Sequence, residues 1–141
     1  MNVIARWGLV IVIVVGLGID AYEHLKVAHN YVFNQTSTVS EATLFRIEAV
    51  MAIVAAVLVV VWASRWAAAI ALAVAGGGLF LLVLYRYVNV GKIGPIPGMY
   101  EPTWAVPGKK WSVAGEAMAV VGSLALLAYS FAATRRRPVA A

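Results

Sequence analysis

Long apolar runs alternate with short polar joints along this chain. The runs extend from Trp7 to about Val27, from about Leu44 to Ala63, from about Trp66 to Val88 and from about Trp111 to Ala133. Each matches the roughly 20 helical residues that a bilayer crossing takes. The pattern predicts an all-α, integral membrane, antiparallel four-helix transmembrane bundle in a single domain, residues 1–141. The joints differ in character. Residues 28–43 are polar, and Thr38-Val39-Ser40-Glu41 fits a capping box at the start of a helix. Only Ser64 and Arg65 separate the second and third runs, which makes those helices a tight hairpin of neighbours. The third joint, residues 89–110, holds four of the five prolines together with Met99, Tyr100 and Trp104. Proline stiffens it and the aromatic residues give it something to bury, so it is expected to lie as an ordered cap over one bundle end.

Small residues recur at helical spacing inside the runs. Ala67, Ala71 and Ala75, then Ala69, Ala73 and Gly77, and Gly115, Ala119 and Ser123 each stand four apart. Such rows let helix backbones approach closely, which matters where lipid offers no hydrophobic drive for helices to associate. The triplet Gly76-Gly77-Gly78 is read the same way, as a packing surface and not a hinge, since no proline accompanies it.

Composition agrees with this reading: 63% of residues are hydrophobic and 12% charged, where a soluble domain carries about a quarter charged. The absence of cysteine excludes disulfides, thiolate metal sites and cysteine nucleophiles. A formal charge of +5 would raise nucleic acid as a partner in a soluble protein. Here the basic residues stand at helix ends, where lipid headgroups are the counter-ions, and no nucleic-acid partner is expected. The first run continues into Asp-Ala-Tyr-Glu-His with no small-x-small cleavage site, so it is expected to be a retained span and not a leader. Asn34-Gln35-Thr36 is formally a glycosylation sequon and carries no weight here. Arg6, Arg65 and Arg135-Arg136-Arg137 favour a multi-pass cell-membrane protein with cytoplasmic termini.

Four crossings bring distant residues to one bundle end. Asp20, Glu23, Glu41, Glu48, Glu101 and Glu116, with His24 and His29, all fall there, while the opposite end has only arginine. Glu41, Lys26 and Arg46 are expected to snorkel into water. Arg86, near the end of the third span, is expected to pair with Glu48, Glu116 or Asp20 through its planar fork. The candidate ligand-binding residues are therefore Asp20, His24, Glu48, Arg86, Tyr100, Glu101, Trp104 and Glu116. Arg86 would anchor an anion or carbonyl, the acids would set the charge, His24 could exchange a proton, and Tyr100 and Trp104 would cover the ligand.

The chain has no HExxH, no phosphate-binding glycine loop and no Ser–His–Asp arrangement, so no catalytic residue is assigned. A divalent ion at His24 completed by Asp20 and Glu23, or copper with Met99, is conceivable. The spacing falls short of a metal motif, and no metal is assigned. Two functions remain open. One is binding of a small amphiphile, such as a quinone or lipid headgroup, in a polar pocket. The other is a non-catalytic accessory or scaffold subunit of a larger membrane complex or homo-oligomer, with the charged cluster as a latch. A proton path across the membrane is not expected, because the middle of the second and third spans is almost free of polar groups.

Leu44-Phe45-Arg46-Ile47-Glu48-Ala49, Leu84-Tyr85-Arg86-Tyr87-Val88 and Gly94-Pro95-Ile96-Pro97-Gly98-Met99-Tyr100-Glu101-Pro102 resemble stretches of small actinobacterial four-helix membrane proteins, a likeness that implies no activity. In layout the chain is also similar to DoxX-like proteins, whose second and fourth spans open with acids, as Glu48 and Glu116 do here. That resemblance implies quinone-dependent oxidation or an accessory role beside redox enzymes. The proline-rich third joint departs from the DoxX-like layout.

Overall fold

The computed structural model describes residues 2–135, with side chains through residue 133. The arginine cluster at 135–137 lies outside the side chains described. Helices α1 (Val3–Val27), α2 (Glu41–Trp62), α3 (Arg65–Tyr87) and α4 (Lys109–Arg135) carry the fold, with a short 3-10 turn at Ala28–Tyr31. All four are long and apolar enough to cross a bilayer, the layout of a multi-pass membrane protein.

Local chemistry sets the helix starts. The Asn2 side chain accepts from the Ala5 N–H, the Ser40 side chain from Thr43, and the Ser64 side chain from Ala67. These caps satisfy amide groups that the first helical turn leaves without partners. The capping box expected at Thr38 is therefore displaced: Ser40 is the cap. Thr38 instead belongs to a turn in which the Thr36 hydroxyl accepts from the Thr38 and Val39 amides. The hairpin between α2 and α3 turns on Ala63, which adopts the left-handed conformation (φ 41°) directly before the Ser64 cap. Arg6 closes that end by donating to the Trp62 and Ala63 carbonyls at 3.3 and 2.7 Å. A guanidinium there complements the negative end of the α2 dipole.

The helices form a ring in chain order. α1 packs on α2 and α4, and α3 closes the ring between α2 and α4. The interior is built mainly from alanine: Ala49, Ala52, Ala55, Ala67, Ala68, Ala71 and Ala75 are wholly buried. Val57, Val61, Trp66, Phe80 and Phe131 face outward. This distribution fits a lipid solvent, in which large apolar groups gain nothing by turning inward and small ones permit close backbone contact.

The tightest seam joins α1 to α4 at Gly16 and Gly115. A Cβ on Gly16 would sit 2.5 Å from the Gly115 carbonyl oxygen and 2.7 Å from the Ala119 nitrogen. The row Gly115–Ala119–Ser123 thus does the packing expected of it. The glycine triplet does not. α3 runs unbroken through it, and a Cβ on Gly77 would meet nothing within 4 Å. Only Gly78 is crowded, and its neighbours are the carboxylates of Glu116 and Glu48. Glycine there makes room for side chains instead of for a helix backbone.

Candidate functional site

The seam sets the site's geometry. Asp20 stands one turn beyond Gly16 and Glu116 directly follows Gly115, so close approach of the two backbones brings the two carboxylates together. Asp20, Glu48 and Glu116 each lie seven residues from the helix end on this side, at Val27, Glu41 and Lys109. At 1.5 Å per residue that is a shared depth of about 10 Å. Glu48 and Glu116 thus lie two turns inside their helices, deeper than the apolar runs suggest, because α2 and α4 begin at Glu41 and Lys109.

Asp20 and Glu116 are fully buried. Asp20, His24 and Glu116 each offer a ligand atom within 4.8 Å of the others. His24 Nδ1 lies 3.0 Å from the Asp20 backbone oxygen in hydrogen-bond geometry. It is also 2.8 Å from Asp20 Oδ1, an ion pair when the imidazole is protonated. The Glu116 carboxyl lies against that of Asp20, and both Glu116 oxygens, Asp20 Oδ2 and Glu48 Oε1 are enclosed with no cationic donor on them.

A cavity of about 310 Å³ adjoins this cluster. Its walls come from Glu23, His24 and Val27 of α1, from Phe45, Ile47, Glu48 and Met51 of α2, and from Gly78, Leu81, Leu82 and Tyr85 of α3. Lys109 and Ser112 of α4 and several residues of the α3–α4 segment, including Ile96, Met99 and Glu101, complete them. Ile47, Met51 and Leu81 line the cavity and are also 49%, 43% and 45% exposed. Each thus has surface both on the cavity and on the outside of α2 or α3, where lipid would lie. Inside, the Phe45 ring makes edge contacts with His24 and Tyr31.

The two polar joints interlock beside the cavity. Tyr31 donates to Glu101 Oε1 at 3.0 Å, Asn34 Nδ2 to the Gly98 carbonyl at 2.9 Å, and the Thr36 hydroxyl to the Pro95 carbonyl at 2.7 Å. The Glu101 amide donates to the Tyr85 carbonyl at 3.0 Å. Lys109 Nζ holds the Glu101 and Thr103 carbonyls, each at 3.0 Å, and lies 3.5 Å from Glu101 Oε2.

The expected residues divide into three groups. His24, Glu48 and Glu101 line the cavity. Asp20 and Glu116 sit behind His24, buried. Arg86, Tyr100 and Trp104 stand outside the lining. The pairing expected of Arg86 is not what the fold makes: among the described residues it forms no ion pair within 4.0 Å. Its guanidinium lies over the rings of Tyr87 and Trp104, at 4.8 and 5.5 Å. The cause is azimuthal. Tyr85 faces the cavity, and the next residue on a helix points about 100° away. Trp104 is held against Arg86 and Tyr87 and is not among this cavity's walls, and Tyr100 is 41% exposed. Glu41 also departs from expectation. It is buried and accepts from Asn34 Nδ2 instead of reaching water, while Lys26 stays exposed beside Glu23 at 3.8 Å. Among the lining residues that sequence reasoning missed are Phe45, Ile47, Met51, Gly78, Leu81, Leu82 and Tyr85. Of these, Gly78, Leu82 and Tyr85 continue the row Ala67–Ala71–Ala75 at helical spacing, a signal that was available.

No family model, no curated protein and no solved structure matches this chain.

Proposed function

We propose that this protein binds a small, neutral amphiphile taken sideways from the bilayer. The observation that carries this reading is the dual position of Ile47 and Met51 of α2 and Leu81 of α3, which are at once cavity wall and outer surface. The ligand's head would meet His24 and Glu48, and its tail would leave between Met51 and Leu81. A volume of about 310 Å³ stands at the small end of the ~300–1,000 Å³ typical of small-molecule sites. Four glutamates line the cavity against one lysine that already holds Glu101. That balance favours a head with hydroxyl or carbonyl groups, such as a quinone or quinol, over a phosphate. The segment 88–108 acts as the roof. A place beside a redox system, which the DoxX-like resemblance implies, would follow from quinone binding. Cytoplasmic termini in a cell membrane complete the proposal.

The scaffold reading needs closed, fully paired acids. The open cavity, and Glu48 and Glu116 carboxylates that no lysine or arginine of the described residues meets within 4.0 Å, favour the pocket instead. Native mass spectrometry of the detergent-extracted chain, with titration of a short-chain quinone and separately of a short-chain phosphatidylethanolamine, tests this. Saturable quinone binding that Met51→Trp abolishes, with thermal stability kept, is the expected result. Binding of the phospholipid alone would replace the quinone assignment. No retained mass and no saturable binding of either would overturn the pocket.

A further inference from the structure

We propose that Asp20, His24 and Glu116 bind one divalent transition-metal ion, with Glu48 as a further ligand from the cavity side. The three donors come from two helices locked at the Gly16–Gly115 seam, and their ligand atoms already lie within 4.8 Å of one another. Donors of a tetrahedral shell at ordinary bond lengths stand about 3.4 Å apart, so small carboxylate rotations close the site. Glu48 Oε1 approaches the same space: a Cβ on Gly78 would sit 3.0 Å from it and against Glu116 Oε1.

A second observation points to a ligand. Glu116 and Asp20 are each 0% exposed; Asp20 Oδ1 has the His24 imidazole at 2.8 Å, Glu116 has the Asp20 carboxyl beside it, and no cationic donor meets either Glu116 oxygen. Buried carboxylates are ordinarily paired, hydrogen-bonded or bound to metal. Among the described residues, no lysine or arginine lies within 4.0 Å of either carboxylate. Glu23, the third ligand that spacing offered, faces Lys26 instead, and Glu116 takes its place from across the bundle. One imidazole nitrogen with carboxylate oxygens and no thiolate suits Zn²⁺, Mn²⁺ or Fe²⁺ better than Cu⁺, and the nitrogen disfavours Ca²⁺ and Mg²⁺.

The ion would share His24 and Glu48 with the amphiphile's head, but its uptake is read with no amphiphile present, so the two proposals fail separately. The full chain, purified in detergent and stripped with chelator, is titrated with Zn²⁺ by calorimetry and with Co²⁺ by its visible ligand-field absorption. One ion per chain is expected. Asp20→Asn and Glu116→Gln should each weaken binding about tenfold or more. Glu101→Gln, whose partners are Tyr31 and Lys109, should leave it unchanged, as should Met51→Trp. Absence of saturable uptake by the unmutated chain overturns the proposal without recourse to any variant. Uptake that Asp20→Asn and Glu116→Gln do not diminish, or that Glu101→Gln diminishes equally, also overturns it.

Discussion

Gly16 is a position at which adding one methyl group should be costly. A Cβ there stands 2.5 Å from the Gly115 carbonyl oxygen and 2.7 Å from the Ala119 nitrogen, while ordinary contact begins at 3.4 Å. Both obstacles are backbone, so no side chain can swing aside. α1 and α4 must part by about 0.9 Å, and overpacking of this kind costs ~1–3 kcal/mol. Gly18 and Gly77 supply the control, because a Cβ on either meets nothing within 4 Å. Alanine there should be neutral or gain ~0.5–1 kcal/mol, the usual advantage over glycine inside a helix. Gly16→Ala is therefore expected to be less stable than Gly18→Ala by roughly 1–4 kcal/mol. Denaturant titration in mixed micelles, followed by circular dichroism, measures the difference. Separation of the seam also moves Asp20 away from Glu116, so Gly16→Ala should lose Zn²⁺ affinity while Gly18→Ala keeps it. Equal stability of the two variants would refute the α1–α4 seam as the element that positions the site.

Two further outcomes follow from named contacts. Lys109→Met removes three polar contacts made by an amine whose side chain is 8% exposed. It should cost ~0.5–1.5 kcal/mol, the net worth of an ordinary intramolecular hydrogen bond whose acceptors water can reach, and hydrogen exchange should rise selectively across residues 89–108. Arg86→Met should leave both quinone binding and Zn²⁺ uptake unchanged, since the guanidinium lies over Tyr87 and Trp104; loss of quinone binding would restore Arg86 as the ligand anchor.

The four crossings and the gathering of acids at one end were legible in the sequence, because hydropathy sets span positions and topology then sets which ends meet. Asp20, Glu48 and Glu116 come to one depth for that reason alone. Azimuth was harder to read. In a soluble bundle an apolar stripe marks the inward face, but in lipid the outward face is apolar too. Arg86 was accordingly assigned by depth, and depth cannot separate it from Tyr85. The usable signal was size. Ala67, Ala71 and Ala75 mark the buried face of α3, and the same row continues through Gly78, Leu82 and Tyr85 while Arg86 falls beside it. Extending that row would have chosen Tyr85 for the cavity and given Gly78 a neighbour other than a helix backbone. The tight α1–α4 seam was half visible, in Gly115–Ala119–Ser123, but only the fold pairs it with Gly16.

Charge accounting at this end favours a site over a latch. A latch would match each buried acid with a cation of the same chain, and the chain has cations here. The fold directs them elsewhere: Lys26 toward Glu23, Lys109 to Glu101, Arg86 onto aromatic rings, and Arg46 outward. Asp20, Glu48 and Glu116 are left with one imidazole among them. Removing a carboxylate from water without compensation costs several kcal/mol even after relaxation, and three of them share one small volume two turns deep. The His24 imidazole at 2.8 Å answers one of the three, Asp20; what answers the others would be shared protons, a metal ion or a ligand head. Replacing Asp20 and Glu116 with Asn and Gln separates these cases. A cluster filled only by protons should be as stable or more stable in the amide form, whereas a metal site should lose the stabilisation that bound Zn²⁺ confers on the unmutated chain.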